Sequence, residues 1–551
     1  MASLGICALL LAAAGCAPAW YKRSADREVY GILEQKEKEV PGNAASYEVE
    51  RPRRDPLADC PAADPSDLPP VITKPGEPPA AVPDAEQYRV VSLAKALQIA
   101  SEHSREYQNQ KESLYFSALA LTLQRYAFNP QFFGMLSGEY DNTDLGDTTE
   151  VTGETDFGFT WLFKTGARLS VSLASSFSQF LKGSPSRAAS SVLTASITQP
   201  LLQGAGIAVT EPLTQAERDV IYQLRTFIRF RRTFFVRVLS DYYRVLEQRQ
   251  VVDNERLNYE NLSILRERAE WLGQAGEQSE YEVDQIRQDE LQAENSYVTS
   301  RQSYENELDR FKITLGLPTQ TKLMLDRHEL ERLDTEGVVE VLLPLDRIEE
   351  VALAHRLDLM SQAGRMEDAL RKIKVAENDL LPGLDLSASV SADTEGDSRP
   401  LNFQARRADF TAGFELDLPL DKLSERNTYR RRLIDHARAT RDYDEARDGI
   451  VRDVREAWRQ YERARRSYEI QRDSMKLAER RVESTTMLWE AGRRVQARDF
   501  LEAQAALVRA RNGLANALVD YKVASLQLAR DMGILNVGDD GELQESFDEY
   551  N

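Results

Sequence analysis

The chain has few of the residues that carry chemistry in enzymes and metal proteins. Its three cysteines, Cys7, Cys16 and Cys60, all lie in the first 60 residues, so the remainder has no thiol, disulfide or cysteine metal ligand. The four histidines are scattered, and none has a His or Cys neighbour at the spacing of metal ligands. No nucleophile–base pair or phosphate-binding loop is evident. We therefore expect no enzyme activity, no cofactor and no metal.

Positive charge and long apolar runs are also scarce. The net charge of −20, from 90 acidic and 70 basic residues, disfavours a nucleic-acid-binding protein, which needs cations to neutralise phosphates. Charged residues make up 29% of the chain and the mean hydropathy is −0.49, which excludes a membrane protein built from many apolar helices. A length of 551 residues favours two or more folding units.

The N-terminus carries a targeting signal. The apolar stretch SLGICALLLAAAGC is too short to span a bilayer as a helix. Its end resembles a bacterial lipoprotein signal, which implies cleavage before Cys16 and acylation of that cysteine; the alternative is an ordinary secretory signal. Residues 1–16 are therefore assigned as a signal peptide. Residues 17–90 are rich in proline and polar residues, and we expect an extended tether there.

The body of the chain is an internal repeat. His103 and Pro130 of the first half align with His355 and Pro382 of the second at a constant offset of 252 residues, and the register between them is helical. After each proline the period changes to an alternation of apolar residues with Ser, Thr, Asp and Glu, which predicts strands with one apolar and one polar face. These strand segments end at Pro200 and Pro419, so the four prolines mark junctions between helices and strands.

A very long helix follows the strands of each half. In the first half the helical pattern runs from about Leu213 to Leu272 without glycine or proline. It breaks around Gly276, which aligns with Gly492 of the second half, and a second helix returns in each case. The expected organisation is a first repeat over 91–318, a crossing segment over 319–346, a second repeat over 347–535 and a disordered acidic tail over 536–551.

The alternating strands leave two interpretations. A transmembrane β-barrel, apolar toward lipid and polar toward a lumen, and a soluble sandwich have the same alternation. The targeting signal favours the barrel. The first half also has room for an additional hairpin over Asp156–Gln179. We expect this hairpin to lie outside the sheet as an elaborated loop; the alternative is that it adds two strands.

These features together resemble the TolC-like outer-membrane factors, the exit ducts of Gram-negative efflux pumps and type I secretion systems. The resemblance covers residues 91–535. It depends on the duplicated layout, the strand end QPLLQG, the turn GEQS at Gly276–Ser279 and LGLP at Leu315–Pro318. It implies an α+β membrane protein in the outer membrane: a homotrimer whose transmembrane β-barrel continues into a periplasmic α-helical coiled-coil tunnel. The implied partners are outer-membrane lipid, a periplasmic adaptor protein and an inner-membrane pump.

The resemblance also assigns roles to residues near the helix breaks. The segment RDFLEAQ is similar to the one that holds the gating acids of the family, which implies a periplasmic gate at Asp499 and Glu502, with Glu282 as a first-half contributor. A solvated helix face is the alternative. The adaptor-contacting tips would be Gln274, Gly276, Glu277, Ser279, Gly492, Arg493 and Arg494.

The expected function is passive export. Substrate would pass from the adaptor and pump through the duct to the exterior. The alternative is a lipid-anchored periplasmic coiled-coil protein without a pore. The cluster Arg430–Arg432 would lie near the periplasmic leaflet, where it would anchor at lipid headgroups or pair with acidic neighbours; the alternative is the solvated start of a helix.

Overall fold

The structure is a computed structural model, and it describes residues 18–41, 47–50, 55–64, 87–143, 148–182, 188–276, 278–338, 340–394, 403, 408–490, 497–538, 541–545 and 547. The chain divides into two compact units. The sheet unit draws on the chain up to Val40, on Leu114–Leu224 and on Met360–Glu445. The helical unit comprises Pro41–Ser113, Arg225–Leu359 and Ala446–Asn551.

The described elements follow the predicted order in both halves. The helices are α1 (Pro18–Glu37), α2 (Leu93–His103), α3 (Arg105–Tyr126), α4 (Ile207–Gln274), α5 (Glu280–Leu315), α6 (His328–Glu336), α7 (Leu345–His355), α8 (Leu357–Asn378), α9 (Leu423–Glu490) and α10 (Ala497–Met532). The strands are β1 (Arg89–Val91), β2 (Gln131–Thr143), β3 (Thr148–Leu162), β4 (Arg168–Lys182), β5 (Ala188–Pro200), β6 (Leu323–Leu325), β7 (Gly383–Asp393), β8 (Asp409–Asp417), β9 (Asn536–Val537) and β10 (Leu543–Gln544).

The main sheet lies in the sheet unit and has six antiparallel strands in the order β2-β3-β4-β5-β7-β8. The expectation that Asp156–Gln179 forms a loop outside the sheet is wrong. This segment belongs to β3 and β4, which pair with each other and with β2 and β5 along almost their whole length. The reason is that both strands continue the alternation of their neighbours, so pairing satisfies their backbone hydrogen bonds without exchanging the two faces.

The two faces of this sheet have different chemistry. Residues directly opposite one another in an antiparallel sheet share a face, and one row across all six strands is apolar: Phe132, Phe159, Val171, Ala195, Val390 and Phe410. The adjacent row, on the other face, is polar: Gln131, Thr160, Ser170, Ser196, Ser389 and Thr411. The rings of Phe132 and Phe410 are more than 70% exposed. The predicted alternation is confirmed, and the apolar face is uncovered in the single chain.

A buried polar cluster joins two helices of the sheet unit. Asp368 of α8 is 3% exposed and accepts hydrogen bonds from the Tyr222 hydroxyl at 2.7 Å and from the Arg371 guanidinium at 2.9 Å. It also pairs with Arg218 at 3.0 Å. Burial and the hydrogen bond to Asp368 raise the pKa of Tyr222 to about 12. The cluster fixes α4 against α8, because Tyr222 and Arg218 of α4 both bind the buried Asp368 of α8.

The prediction of an extended tether over 17–90 is wrong for α1. This helix buries Val29, Ile32 and Leu33, and its Asp26 accepts a hydrogen bond from the Tyr115 hydroxyl at 2.7 Å. The prolines of the segment lie at Pro18 and from Pro41 onward, so the average composition concealed a proline-free stretch with apolar residues at helical spacing. Residues 55–64 also pack: Leu57 and Cys60 are buried in the helical unit.

The prediction of a disordered acidic tail is also wrong over the described residues of 536–551. Strands β9 and β10 pair as a small hairpin, and Phe547 is 2% exposed. Glu545 accepts a hydrogen bond from the Lys522 ammonium at 2.7 Å and one from the Ser525 hydroxyl at 3.2 Å. The buried ring of Phe547 and the paired carboxylate of Glu545 are enough to fix this short acidic segment against the helical unit.

The internal duplication is visible at two glycines. The helix that opens each repeat ends at its histidine, His103 or His355, and a second helix begins two residues later. Each half therefore has a pair of helices, α2–α3 and α7–α8, where the constant register predicts one. Gly316 and Gly533 end α5 and α10 with φ of +80° and +79°. A Cβ added at Gly316 would lie 2.1 Å from the His103 carbonyl oxygen, and one at Gly533 would lie 2.9 Å from that of His355. The same close approach of backbones is therefore used in both halves, and it needs glycine.

Gly316→Ala should destabilise the helical unit by about 3 kcal/mol or more, since it combines a left-handed backbone with a steric overlap. Gly276→Ala is the matched control: Gly276 also follows the end of a helix, with a similar φ of +78°, but has no atom within 4 Å of the added Cβ. It should cost only the backbone term of about 1–2 kcal/mol. Thermal unfolding followed by circular dichroism tests this, and equal losses in the two variants would contradict the close-approach argument.

Candidate functional site

Four long helices of the helical unit pack side by side in a row, so that two of them lie at the ends of the row. Helix α4 contacts α5 through the ion pair between Arg266 and Glu290 at 2.7 Å. It contacts α10 through the hydrogen bond from Asn254 to Asn512 at 2.7 Å. Helix α10 in turn contacts α9, where the hydroxyls of Tyr461 and Tyr521 lie 3.3 Å apart. The order is α5, α4, α10 and α9, so α5 and α9 occupy the two outer positions.

The contact between α4 and α10 is polar and partly buried. The side-chain amide of Asn516 donates to Glu247 at 3.0 Å, and that of Asn512 donates to Glu255 at 3.4 Å. Burial raises the pKa of both carboxyl groups above the usual glutamate value, and the amide hydrogen bonds oppose the shift. The centre of the helix series is therefore an interface where charge is disfavoured but hydrogen bonding is retained.

A groove of about 420 Å³ lies beside this interface, between α4, α5 and α10. Its charged lining residues are Glu255, Asp289, Arg498, Glu502 and Arg509. Burial raises the pKa of Asp289. Acids and bases both face the groove, beside the apolar side chains of Leu262, Leu501 and Val508. The groove therefore offers both polar and apolar contacts.

The structure places the three predicted gate acids at the starts of the returning helices. Asp499 lies in the first turn of α10, where a carboxylate is favoured by the helix dipole. Glu502, one turn further, pairs with Arg481 at 3.5 Å and lines the groove. Glu282 completes a capping box, in which its carboxylate accepts hydrogen bonds from the Ser279 backbone N–H at 3.2 Å and from the Ser279 hydroxyl at 3.0 Å. Glu282 thus has a local structural role that sequence reasoning missed.

The predicted tip residues are only partly described. Gln274 ends α4, and Gly276 has the positive φ of +78° that a tight turn favours. Ser279 is the N-cap of α5. Glu277, Gly492, Arg493 and Arg494 lie outside the described residues, as does the predicted acylation site Cys16.

The four predicted junction prolines all lie at strand boundaries. Pro130 and Pro382 directly precede β2 and β7, Pro200 ends β5, and Pro419 lies two residues after β8. The turn after Pro200 is held by Asn378, which accepts a hydrogen bond from the Gly204 N–H at 2.8 Å and donates one to the Leu202 carbonyl at 3.0 Å. The sequence QPLLQG is therefore a strand end followed by a clamped turn into α4.

Sequence reasoning missed an apolar stripe on each outer helix. Tyr281, Leu291 and Val298 are exposed on α5, and Met487, Leu477 and Ile470 are exposed on α9. Counted from the aligned glycines Gly276 and Gly492, the two stripes lie at equal distances of 5, 15 and 22 residues. The seven-residue step from Leu291 to Val298, and from Leu477 to Ile470, is typical of coiled-coil packing. This step was the available sequence signal.

Two physical properties of the described residues bear on function. Within the described ranges, no helix is at once long enough and apolar enough to cross a membrane. Across the same ranges, no group of three or more His, Cys, Asp or Glu side chains is arranged to hold a metal ion.

The combination of a two-faced antiparallel sheet with paired long helices, repeated twice, is the fold of outer-membrane channels. The sequence profile described as Outer membrane efflux protein matches residues 349–533. The match lies in the second repeat of the chain, so this part of the sequence is similar to the outer membrane efflux proteins.

Solved structures support the fold over most of the chain. The outer membrane channel CmeC of Campylobacter jejuni is 15% identical with a TM-score of 0.58, covering 87% of this chain and 96% of its own. The outer membrane protein VceC of Vibrio cholerae is 12% identical with a TM-score of 0.57, covering 80% and 96%. The MtrE channel of Neisseria gonorrhoeae, in an open state, is 13% identical with a TM-score of 0.57, covering 80% and 89%. No curated protein sequence matches the chain.

The raised pKa values of Glu247 and Glu255 predict that replacing these acids by neutral residues stabilises the protein at neutral pH but not at acid pH. Glu247→Gln combined with Glu255→Gln should raise the unfolding midpoint at neutral pH by on the order of 2 °C. A raised pKa in the folded state means that the wild type is penalised as the pH rises above the ordinary glutamate value of 4.5 and not below it. Midpoints measured from pH 4 to 8 should therefore converge at the acid end.

The control for this gain is the pair Glu479→Gln and Glu483→Gln on the exposed surface of α9. This control removes the same number of negative charges, but from exposed positions where the carboxylates are already in water. Its unfolding midpoint should therefore follow that of the wild type at every pH. If the control rises as much as the interface variant, net charge rather than burial explains the effect.

Proposed function

We propose that this chain is the outer-membrane exit duct of a tripartite efflux pump or type I secretion system. Three copies would form a barrel that conducts substrate passively from a periplasmic adaptor and an inner-membrane pump to the exterior. The observation that carries this proposal is the sheet, which exposes a continuous apolar face with a face of Ser, Thr and Gln behind it. Lipid on one side and a wet lumen on the other would satisfy both faces.

The edges of the sheet support self-association. In the described sheet, β2 and β8 each pair on one side only. An unpaired strand edge is not tolerated in hydrocarbon, because its backbone groups have no water to bind. Joining β8 of one copy to β2 of the next would pair both edges, and three six-stranded sheets would give about eighteen strands, a number that leaves an aqueous channel.

The outer helices support the same assembly. The stripes on α5 and α9 lie at equal heights from the aligned tip glycines, and the two helices run in opposite directions. A stripe on α5 of one copy therefore matches the stripe on α9 of its neighbour. Burying these exposed side chains would contribute about 1.5–3 kcal/mol for each large apolar residue, so the helices and the sheet favour the same neighbour.

Cysteines at matched heights should crosslink between copies. In a Cys60→Ser background, Leu291→Cys with Leu477→Cys should yield covalent dimers and trimers on denaturing gels after mild oxidation, because both residues lie 15 positions from the tip glycines. Leu291→Cys with Ile470→Cys is the matched control. Its two cysteines are displaced by seven residues, about 10 Å along a helix.

The expected result is a trimer ladder that is much stronger for the matched pair. Equal crosslinking of both pairs would indicate random collision, and absence of any ladder would argue against this interface. Conductance of the wild-type protein in planar bilayers separates the duct from a coiled-coil protein without a pore, which would insert no channel.

Asp499 and Glu502 are the proposed gate. Both lie at the start of α10, one turn apart, so they share a helix face. The ion pair from Glu502 to Arg481 is between exposed groups, and such pairs contribute little, so it leaves Glu502 free to exchange partners. Three copies would focus negative potential where the helices converge. Glu282 is a weaker third member, since its carboxylate already serves the capping box.

Asp499→Asn with Glu502→Gln should weaken the block of conductance by divalent cations by on the order of tenfold, since each copy loses two negative charges at the constriction. The measurement is single-channel current across a magnesium titration. Glu469→Gln with Asp473→Asn on exposed α9 is the control and should leave the block unchanged. A block that is insensitive to the first pair, or equally sensitive to both, would rule out a gate at these acids.

The hairpin tips are the proposed docking site for the adaptor. Gln274, Gly276 and Ser279 form one tip, and the residues Glu277, Gly492, Arg493 and Arg494 are assigned to the tips from the sequence alone. A photocrosslinker at Gln274 should capture a periplasmic adaptor in vivo. The same probe at Glu305, which is exposed on α5 some 29 positions from Gly276, should not.

A further inference from the structure

The junction between β8 and α9 has a chemistry that the channel proposal does not use. Leu418, Leu420 and Leu423 are each more than half exposed, and Leu420 is fully exposed. They lie just beyond the apolar face of the sheet. Leucines left uncovered at such a position mark an interaction surface.

A group of cations follows these leucines. Residues 418–432 carry five basic and two acidic side chains, within a chain whose net charge is −20. Arg426, Arg430 and Arg431 are exposed on the first turns of α9. Arg426 and Arg430 are four residues apart and share a helix face with Leu423. Asp421 and the two other cations have local tasks. Asp421 accepts a hydrogen bond from the Leu423 N–H at 3.1 Å, Lys422 donates to the Leu380 carbonyl, and Arg432 pairs with Asp435 at 3.4 Å.

The internal duplication provides a control for the structural need of these arginines. Helix α4 begins after Pro200 as α9 begins after Pro419, and its junction also exposes leucines, Leu201 and Leu202. Residues 201–217 contain no lysine or arginine. The same strand-to-helix transition is therefore built without cations in the first half, so the fold does not require those of the second.

We propose that residues 418–431 bind the headgroups of anionic phospholipids in the periplasmic leaflet. The leucines would enter the acyl boundary, and Arg426, Arg430 and Arg431 would contact the phosphates. Guanidinium groups suit this task because they bind phosphate oxygens in pairs. The inference depends on the proposed function, since it takes the apolar face of the sheet as facing lipid. The continuity of the exposed leucines with that face, and the local excess of positive charge, favour lipid over a second copy of the chain.

The test is retention of lipid by the purified full-length protein, measured by native mass spectrometry with equal amounts of phosphatidylglycerol and phosphatidylcholine. The wild type should retain phosphatidylglycerol preferentially. The triple variant Arg426→Gln, Arg430→Gln, Arg431→Gln should lose this preference, by on the order of fivefold for each arginine. The control Arg441→Gln, Arg459→Gln, Arg466→Gln removes three exposed arginines further along the same helix and should retain it.

Several outcomes would overturn the proposal. They are equal retention of both lipids by the wild type, an undiminished preference in the triple variant, full competition by inorganic phosphate, and loss of the trimer crosslink instead of lipid. The last outcome would assign the surface to a neighbouring copy. The proposed function fails separately, if the wild type conducts no current in planar bilayers; a wild type that conducts but does not select phosphatidylglycerol would refute only the lipid site.

Discussion

The hydrogen-bonding groups at the two edges of the sheet are the constraint on which the architecture depends. A six-stranded sheet with an exposed apolar face is stable neither in water nor in hydrocarbon. Water does not favour the face that includes Phe159 and Phe410. Hydrocarbon does not tolerate the open edges of β2 and β8. In the proposed assembly, neighbouring copies would pair the open edges and lipid would cover the apolar face. The inserted strands β3 and β4 widen the sheet without removing this requirement, because they pair within it.

The long helices also have surfaces that are uncovered in the single chain, but these surfaces consist of apolar side chains and not of backbone groups. Helices α4 and α10 are each packed on two sides, and α5 and α9 carry exposed stripes that include Leu291 and Leu477. Helix α4 also exposes Leu257, Ile264 and Trp271 toward its tip. The close packing of Gly316 against His103, and of Gly533 against His355, shows how strictly the two halves follow one plan. Because the fold is duplicated within the chain, the proposed assembly of several copies would need only a few kinds of contact.

The polar groups in the helical unit are arranged for adjustable contacts more than for maximal stability. Glu247 and Glu255 are partly buried and hydrogen-bonded to asparagines, at the expense of a raised pKa. An apolar interface of the same size would be more stable. Polar interfaces with exchangeable partners are suited to helices that shift relative to one another, which is the motion that opening of the proposed gate would require.

The period-2 alternation and the constant offsets of the repeats were sufficient to predict the strands, the long helices and the junctions at Pro130, Pro200, Pro382 and Pro419, since periodicity and proline geometry act locally. Composition averaged over long windows failed for α1 and for the tail, where a few residues such as Leu33 and Phe547 find a buried site. The capping role of Glu282 and the spacing of Leu291 and Leu477 had local signals, namely the Ser-x-x-Glu pattern and the seven-residue step. The position of Asp156–Gln179 inside the sheet and the burial of α1 were decided only by the tertiary structure. Pairing partners, burial and neighbours depend on residues far apart in the chain, and no local pattern of residues records them.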